Sequence, residues 1–173
     1  MGVAAAQEGG IRTSMTDNAI QLKINDLWFK NNFEMFRKLS TTVKEGRVLI
    51  IGSVPNPDMR VEAIRLAWQA EGVKQILNEI TVDDGSGITA MLTDSWTTSN
   101  LKTKLLLDKY IQSINYNVDT VNGNVYLMGI AQDQKELDRV IGYARNASRV
   151  SNVVSYVRLR GEKPAGILEP VKD

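Results

Sequence analysis

The chain contains no histidine and no cysteine. Their absence excludes imidazole general bases, Ser-His-Asp and Cys-His nucleophiles, zinc sites built on His or Cys, disulfides and thiol redox chemistry. A catalyst would have to work with carboxylates, lysines and hydroxyls alone, and no paired acids fall where they would frame a cleft, so no enzymatic activity, cofactor or metal is expected. Long hydrophobic runs are also missing. All are far shorter than the roughly 20 residues of a membrane-spanning helix, so the chain is expected to touch a bilayer at most from outside. An excess of one charge is missing too: 21 Lys and Arg meet 20 Asp and Glu, for a net charge of +1. That balance lacks the basic footprint of a nucleic-acid binder. The absence of cysteine fits a reducing cytosol or an envelope without disulfides, and decides no compartment. Met1 to Gly10 is small and polar without the apolar core of a secretory signal, so no targeting segment is expected there.

What is present is a globular balance of 43% apolar and 24% charged residues over 173 positions, and an internal repeat. Gly46-Arg47-Val48-Leu49-Ile50-Ile51-Gly52 recurs as Gly123-Asn124-Val125-Tyr126-Leu127-Met128-Gly129, 77 positions later. The same offset pairs Asp17 with Asp94, Ile24 with Leu101, Ile64 with Ile141, Ala67 with Ala144 and Val73 with Val150. Such self-similarity signals repeated modules. The expected division is a flexible segment 1–14, a first domain 15–82, a connector 83–92, a second domain 93–160 and a flexible tail 161–173. The connector run Asp83-Asp84-Gly85-Ser86-Gly87 has linker composition and lacks the ligand spacing of a calcium loop.

Each repeat yields the same reading. A helix starts at an Asp N-cap, Asp17 or Asp94. Its inward face is Ile20, Ile24, Leu27 and Trp28 in the first copy, and Thr97, Leu101, Lys104 and Leu105 in the second. Two β runs follow around Glu45-Gly46 or Asn122-Gly123, and Asn-Gly between β runs is a strong hairpin signal because both residues tolerate positive φ. A second helix starts near Pro57 and runs through Val61, Ile64, Leu66 and Ala67; its counterpart runs from Gln134 to Ala147 with Leu137, Val140, Ile141 and Ala144 inward. A last strand closes the unit, and a β-helix-β step predicts a right-handed crossover. The expected fold class is α+β: two tandem αββαβ domains, each a three-stranded mixed sheet packed on two helices. In the hairpins Val48 and Ile50 face one side while Leu49 and Ile51 face the other. A half-covered sheet should alternate apolar with polar, so the second face is expected to be covered, by the other domain or by another molecule.

The Gly-x-Val-x-Leu-x-Gly hairpin and the helix-to-strand steps Gly72-Val73-Lys74-Gln75-Ile76 and Arg149-Val150-Ser151-Asn152-Val153 resemble the BON domain, over nearly all of residues 15–160. Asp94-Ser95-Trp96-Thr97-Thr98 with Leu101-Lys102-Thr103 looks like the second BON domain of dual-BON outer-membrane lipoproteins of Gram-negative bacteria. The resemblance implies a non-catalytic protein of the periplasm, at the inner leaflet of the outer membrane, supporting membrane integrity or stress response. It implies that the first helix of the second domain binds anionic phospholipid. Gly2-Val3-Ala4-Ala5-Ala6 is similar to the linker behind a lipidated cysteine in such relatives, which implies a trimmed mature chain behind an added Met1.

The residues can be weighed on their own. Residues 17–82 carry nine basic and eight acidic side chains, residues 94–160 nine and six, so the second copy is the more basic. The expected lipid contacts are Trp96, Thr97, Lys102, Leu106, Lys109 and Gly129, of which Trp96, Leu106 and Gly129 match the family's lipid surface. Asn100 stands where the family often has a basic residue. Trp96 lies opposite the inward face; its alternative is packing over the hairpin. In the first copy Trp28, Phe29, Phe33 and Phe36 form an aromatic group, readable as core plus interdomain contact or as a surface for an envelope protein partner. The alternative to lipid binding is accordingly a protein-protein module for envelope assembly.

Overall fold

The computed structural model describes residues 10–83 and 88–162 of the chain, which fall in two compact units. In the first, helix α1 (Gly10–Asn31) and a short α2 (Phe33–Lys38) lead into β1 (Leu39–Lys44), β2 (Arg47–Val54), α3 (Pro57–Ala67) and β3 (Gln75–Val82). In the second, α4 (Ile88–Leu107) and a 3-10 turn (Ser113–Asn115) lead into β4 (Tyr116–Val121), β5 (Asn124–Ala131), α5 (Gln134–Arg145) and β6 (Asn152–Leu159). Each sheet runs β1-β2-β3 or β4-β5-β6, with the hairpin pair antiparallel and the crossover pair parallel. This is the α+β fold expected, with α2 as an added element. The register pairs Leu39 with Gly52 and Tyr116 with Gly129, so the 77-residue match is structural as well as sequential.

Local chemistry explains the shared geometry. Glu45 and Gly46 (φ 54 and 76) and Asn122 and Gly123 (φ 50 and 78) place two left-handed residues in each tight turn, the twist a two-residue hairpin favours. Gly52 and Gly129 sit at φ 128 and 145, where any Cβ would collide with the carbonyl oxygen of Lys38 or Asn115. The first core gathers Ile20, Ile24, Trp28, Val48, Ile50, Val54, Ala63 and Leu66. Trp28 is fully buried there, and its Nε1 donates to the Ala63 carbonyl at 3.1 Å, which avoids an unsatisfied polar group. The second gathers Leu101, Leu105, Val118, Val125, Leu127, Val140 and Ala144. Leu49, Ile51, Tyr126 and Met128, on the opposite strand faces, are buried as well.

The helix starts differ from expectation. Both first helices begin before Asp17 and Asp94, so 10–14 and 88–92 are helical where a flexible segment and a connector are read from the sequence. The aspartates do not cap those helices. Asp17 accepts from the amides of Glu45 and Gly46 at 2.8 and 2.9 Å, and Asp94 from those of Asn122 and Gly123 at 2.7 and 3.0 Å. Each carboxylate ties its helix to the hairpin turn by accepting from two successive amides. Of the rest of the expected flexible segments, residues 1–9, 84–87 and 163–173 lie outside the described residues. Along α3 Val61 is exposed and the inward row is Ala63, Leu66 and Ala67. Lys104 is likewise exposed, while Thr97, Leu101 and Leu105 form the inward row of α4.

Candidate functional site

With its inward row satisfied by Thr97, Leu101 and Leu105, α4 is left with a second apolar stripe on its far side. Leu92, Trp96, Ser99, Thr103 and Leu106 follow one another at steps of four, three, four and three residues, which keeps them on one helical face. Trp96 is 56% exposed, Leu92 65%, Leu106 72% and Leu107 78%. The stripe is apolar at both ends and hydroxylated in the middle. Lys102 and Lys104, both exposed, flank it on opposite sides.

Of the expected lipid contacts, the structure places Trp96, Lys102, Leu106 and Lys109 on the surface, and the first three on α4. Two others are internal. Thr97 is 1% exposed, with its hydroxyl donating to the Thr93 carbonyl at 2.9 Å, because it occupies the inward row. Gly129 is buried in β5, where its missing side chain is required by the Asn115 carbonyl rather than by a ligand. Leu92 and Leu107 complete the surface and were not foreseen. A step of four back from Trp96 finds Leu92 once the helix is known to start before Asp94.

At the end of α4, Asp108 anchors a polar corner. Its carboxylate accepts from the Tyr143 hydroxyl at 2.7 Å, the Tyr110 amide at 2.8 Å and Arg139 Nε at 2.8 Å. The Tyr143 bond foremost, then Tyr110 and Arg139, hold its carboxyl below the usual carboxylate range despite its burial. Lys109 Nζ and Arg139 Cζ lie 5.1 and 4.9 Å from the Tyr110 ring centroid, so both cations rest against that ring just past the end of α4. Glu136, buried, accepts from the Tyr116 hydroxyl and from Gln132 Nε2 at 2.5 Å. Burial first, and the Glu136 carboxylate second, push the Tyr116 phenol above its ordinary pKa. Among the described residues no cluster of acidic side chains has the makings of a metal site, and no helix is long and apolar enough to cross a membrane.

The aromatic group of the first unit divides. Trp28 belongs to the core and is removed from the expected surface set, since its face of α1 packs on the sheet. Phe29, Phe33 and Phe36, the chain's three phenylalanines, cluster outside with ring centroids 5.4–6.0 Å apart and exposures of 54, 55 and 38%.

Two copies of one α+β unit, each closed by the same aspartate-to-hairpin tie and the same glycine contact, define a tandem repeat of small modules. The chain belongs to the BON domain family, whose model matches residues 16–84 and 93–161. It is 44% identical over 148 residues to an uncharacterized protein of Anaplasma centrale encoded in the gshII 5' region, covering 85% of this chain and 97% of that one. It is 30% identical to the outer membrane lipoprotein DolP of Haemophilus influenzae, over 85% of this chain and 75% of the relative. It is 28% identical to the osmotically-inducible protein Y of Escherichia coli, over 80% and 70%.

Proposed function

We propose that this is a non-catalytic cell-envelope protein whose second unit binds anionic phospholipid peripherally through the outward face of α4. The observation that carries the reading is the doubling of apolar stripes on that helix: one is satisfied by its own core, while the other, with Leu92, Trp96 and Leu106, faces outward between lysines. Kinship with an outer membrane lipoprotein and an osmotically inducible protein supports the envelope setting. Lys102, Lys104 and Lys109 would each contribute about 1 kcal/mol at an anionic surface, and a large apolar side chain removed from water about 2 kcal/mol more. The sum describes a salt-sensitive contact made lasting by insertion or by a separate anchor. Sedimentation with phosphatidylglycerol vesicles tests it: Trp96→Glu is expected to lower retention more than about tenfold. Equal retention of wild type and variant at low salt would remove the site from α4.

The exposed Phe29, Phe33 and Phe36 cluster favours a second reading, a surface for an envelope protein partner. Absence of any vesicle binding, together with a crosslink to an envelope protein from a photoreactive residue at position 33, would make this the primary function.

A further inference from the structure

Matching the units position by position isolates one place where the second accepts a strain that the first avoids. Gly72 lies in the helix-to-strand connection of the first unit at φ 97, and a Cβ there would lie 3.1 Å from Ile20 Cδ1. Seventy-seven positions on stands Arg149, still left-handed at φ 64, a conformation disfavoured for residues with a Cβ. Ile20 is matched by Thr97, which has no Cδ1 and so makes room for the arginine.

Arg149 is exposed, and among the described residues it meets no carboxylate; its hydrogen bond is to Thr93 Oγ1 at 3.5 Å. With Leu92, Thr93, Trp96 and Ser148 it lines an open cleft of about 440 Å3 at the start of α4. The helix contributes the apolar Leu92 and Trp96 with the Thr93 hydroxyl, and the connection before β6 contributes the Arg149 cation and the Ser148 hydroxyl. Among the described residues no acidic side chain lines the cleft, and neighbouring Asp94 is turned to the hairpin amides.

We infer that this cleft is the phosphate subsite of the lipid face: Arg149 takes the phosphodiester of an anionic phospholipid on its planar fork, beside the Ser148 hydroxyl, while Leu92 and Trp96 lie against the first carbons of the acyl chains. The inference rests on the lipid reading above and adds a residue and a geometry to it. A guanidinium alone would suit any phosphate; the apolar wall selects one carrying hydrocarbon.

Vesicles of mixed phosphatidylglycerol and phosphatidylethanolamine, against phosphatidylcholine vesicles, test it with the full chain. Arg149→Gln is expected to weaken partitioning more than about tenfold. Arg145→Gln, which removes the same charge four residues earlier, is expected to weaken it about fivefold. Arg149→Lys should fall between, keeping charge but losing the fork. Arg149→Gly writes in the first unit's residue: it should weaken binding as Gln does while raising the Tm, and those opposite movements separate a lost ligand contact from a damaged fold. If Arg149→Gln and Arg145→Gln bind alike while Trp96→Glu is released, the phosphate subsite is overturned and the lipid face stands. Release of wild type by excess glycerol 3-phosphate would overturn the assignment to lipid, and failure of wild type to bind either vesicle would overturn both readings.

Discussion

In the first unit the corner where the first helix turns into the sheet holds Phe33, Met35, Leu39, Met59 and Leu66; 77 positions later the same corner holds Tyr110, Gln112, Tyr116, Glu136 and Tyr143. The backbone is common to both, with Leu39 and Tyr116 each opposite the glycine that ends the hairpin motif. One corner is closed by apolar contact, and its overflow is the exposed phenylalanine cluster. The other is closed by a buried carboxylate that accepts from a tyrosine and a glutamine, and by Asp108 gripping Tyr143 and Arg139. A polar corner fixes direction where an apolar one fixes only volume. It is the second unit, whose α4 carries the outward stripe, that uses the directional solution to hold Tyr110 and Lys109 at the end of that helix.

The comparison breaks most visibly at Glu136. Glu136→Met writes the first unit's residue into the second and leaves the Tyr116 hydroxyl and Gln132 amide in a buried corner without their acceptor. A loss of about 3 kcal/mol from the second unit is expected, read as a shift of its midpoint in urea with the first unit's transition unmoved. Adding Tyr116→Leu, the first unit's other residue, should recover part of the loss, since replacing both partners of a buried bond costs less than orphaning one. No recovery would mean that the corner is set by shape and not by hydrogen bonding.

A smaller effect should be the same in both units. Asp17→Ala and Asp94→Ala each remove two acceptors from hairpin amides, at an expected cost of about 1–2 kcal/mol apiece. Near-equal losses in calorimetry would confirm the tie as common to the repeat. A large cost in one and none in the other would show that the resemblance of the two turns is geometric only.

These residues also mark what was legible in advance. The hairpins follow from short apolar runs and from turn chemistry, Asn-Gly above all, both local, and the repeat offset carries them from one unit to the other. The role of Asp17 and Asp94 was not legible, because an aspartate bonded to a turn 28 and 29 positions away looks in sequence like an N-cap. That error also hid Leu92, placed in a connector. Trp96 was placed outward by helical spacing and Leu106 by its match to the family's lipid surface, whereas Gly129, taken from the same match, is buried, because a family motif records positions that matter without recording which face they take; Thr97 keeps the place on the inward row that helical spacing gives it. Arg149 was hidden for another reason: arginine does not announce a positive φ, and only its match to Gly72 does. The Asp108 cluster spans 31 and 35 positions and has no local signature.

The finest difference between the two corners is a single atom exchange at the end of the first helix, where Asp108 matches Asn31. Asn31 Nδ2 donates to the Leu27 carbonyl within its own helix, while Asp108 accepts from Tyr143, Tyr110 and Arg139. Because those donors hold the folded carboxyl below its ordinary pKa, its contribution to stability is complete above the unfolded value of about 3.9 and fades as pH falls through the lower, folded one. Asp108→Asn should therefore lower the Tm of the second unit near neutrality, and the gap to wild type should close as the pH is taken below about 4. A gap that stays constant into acid would mean that Asp108 acts through size and burial, and that its charge does not distinguish the polar corner from the apolar one.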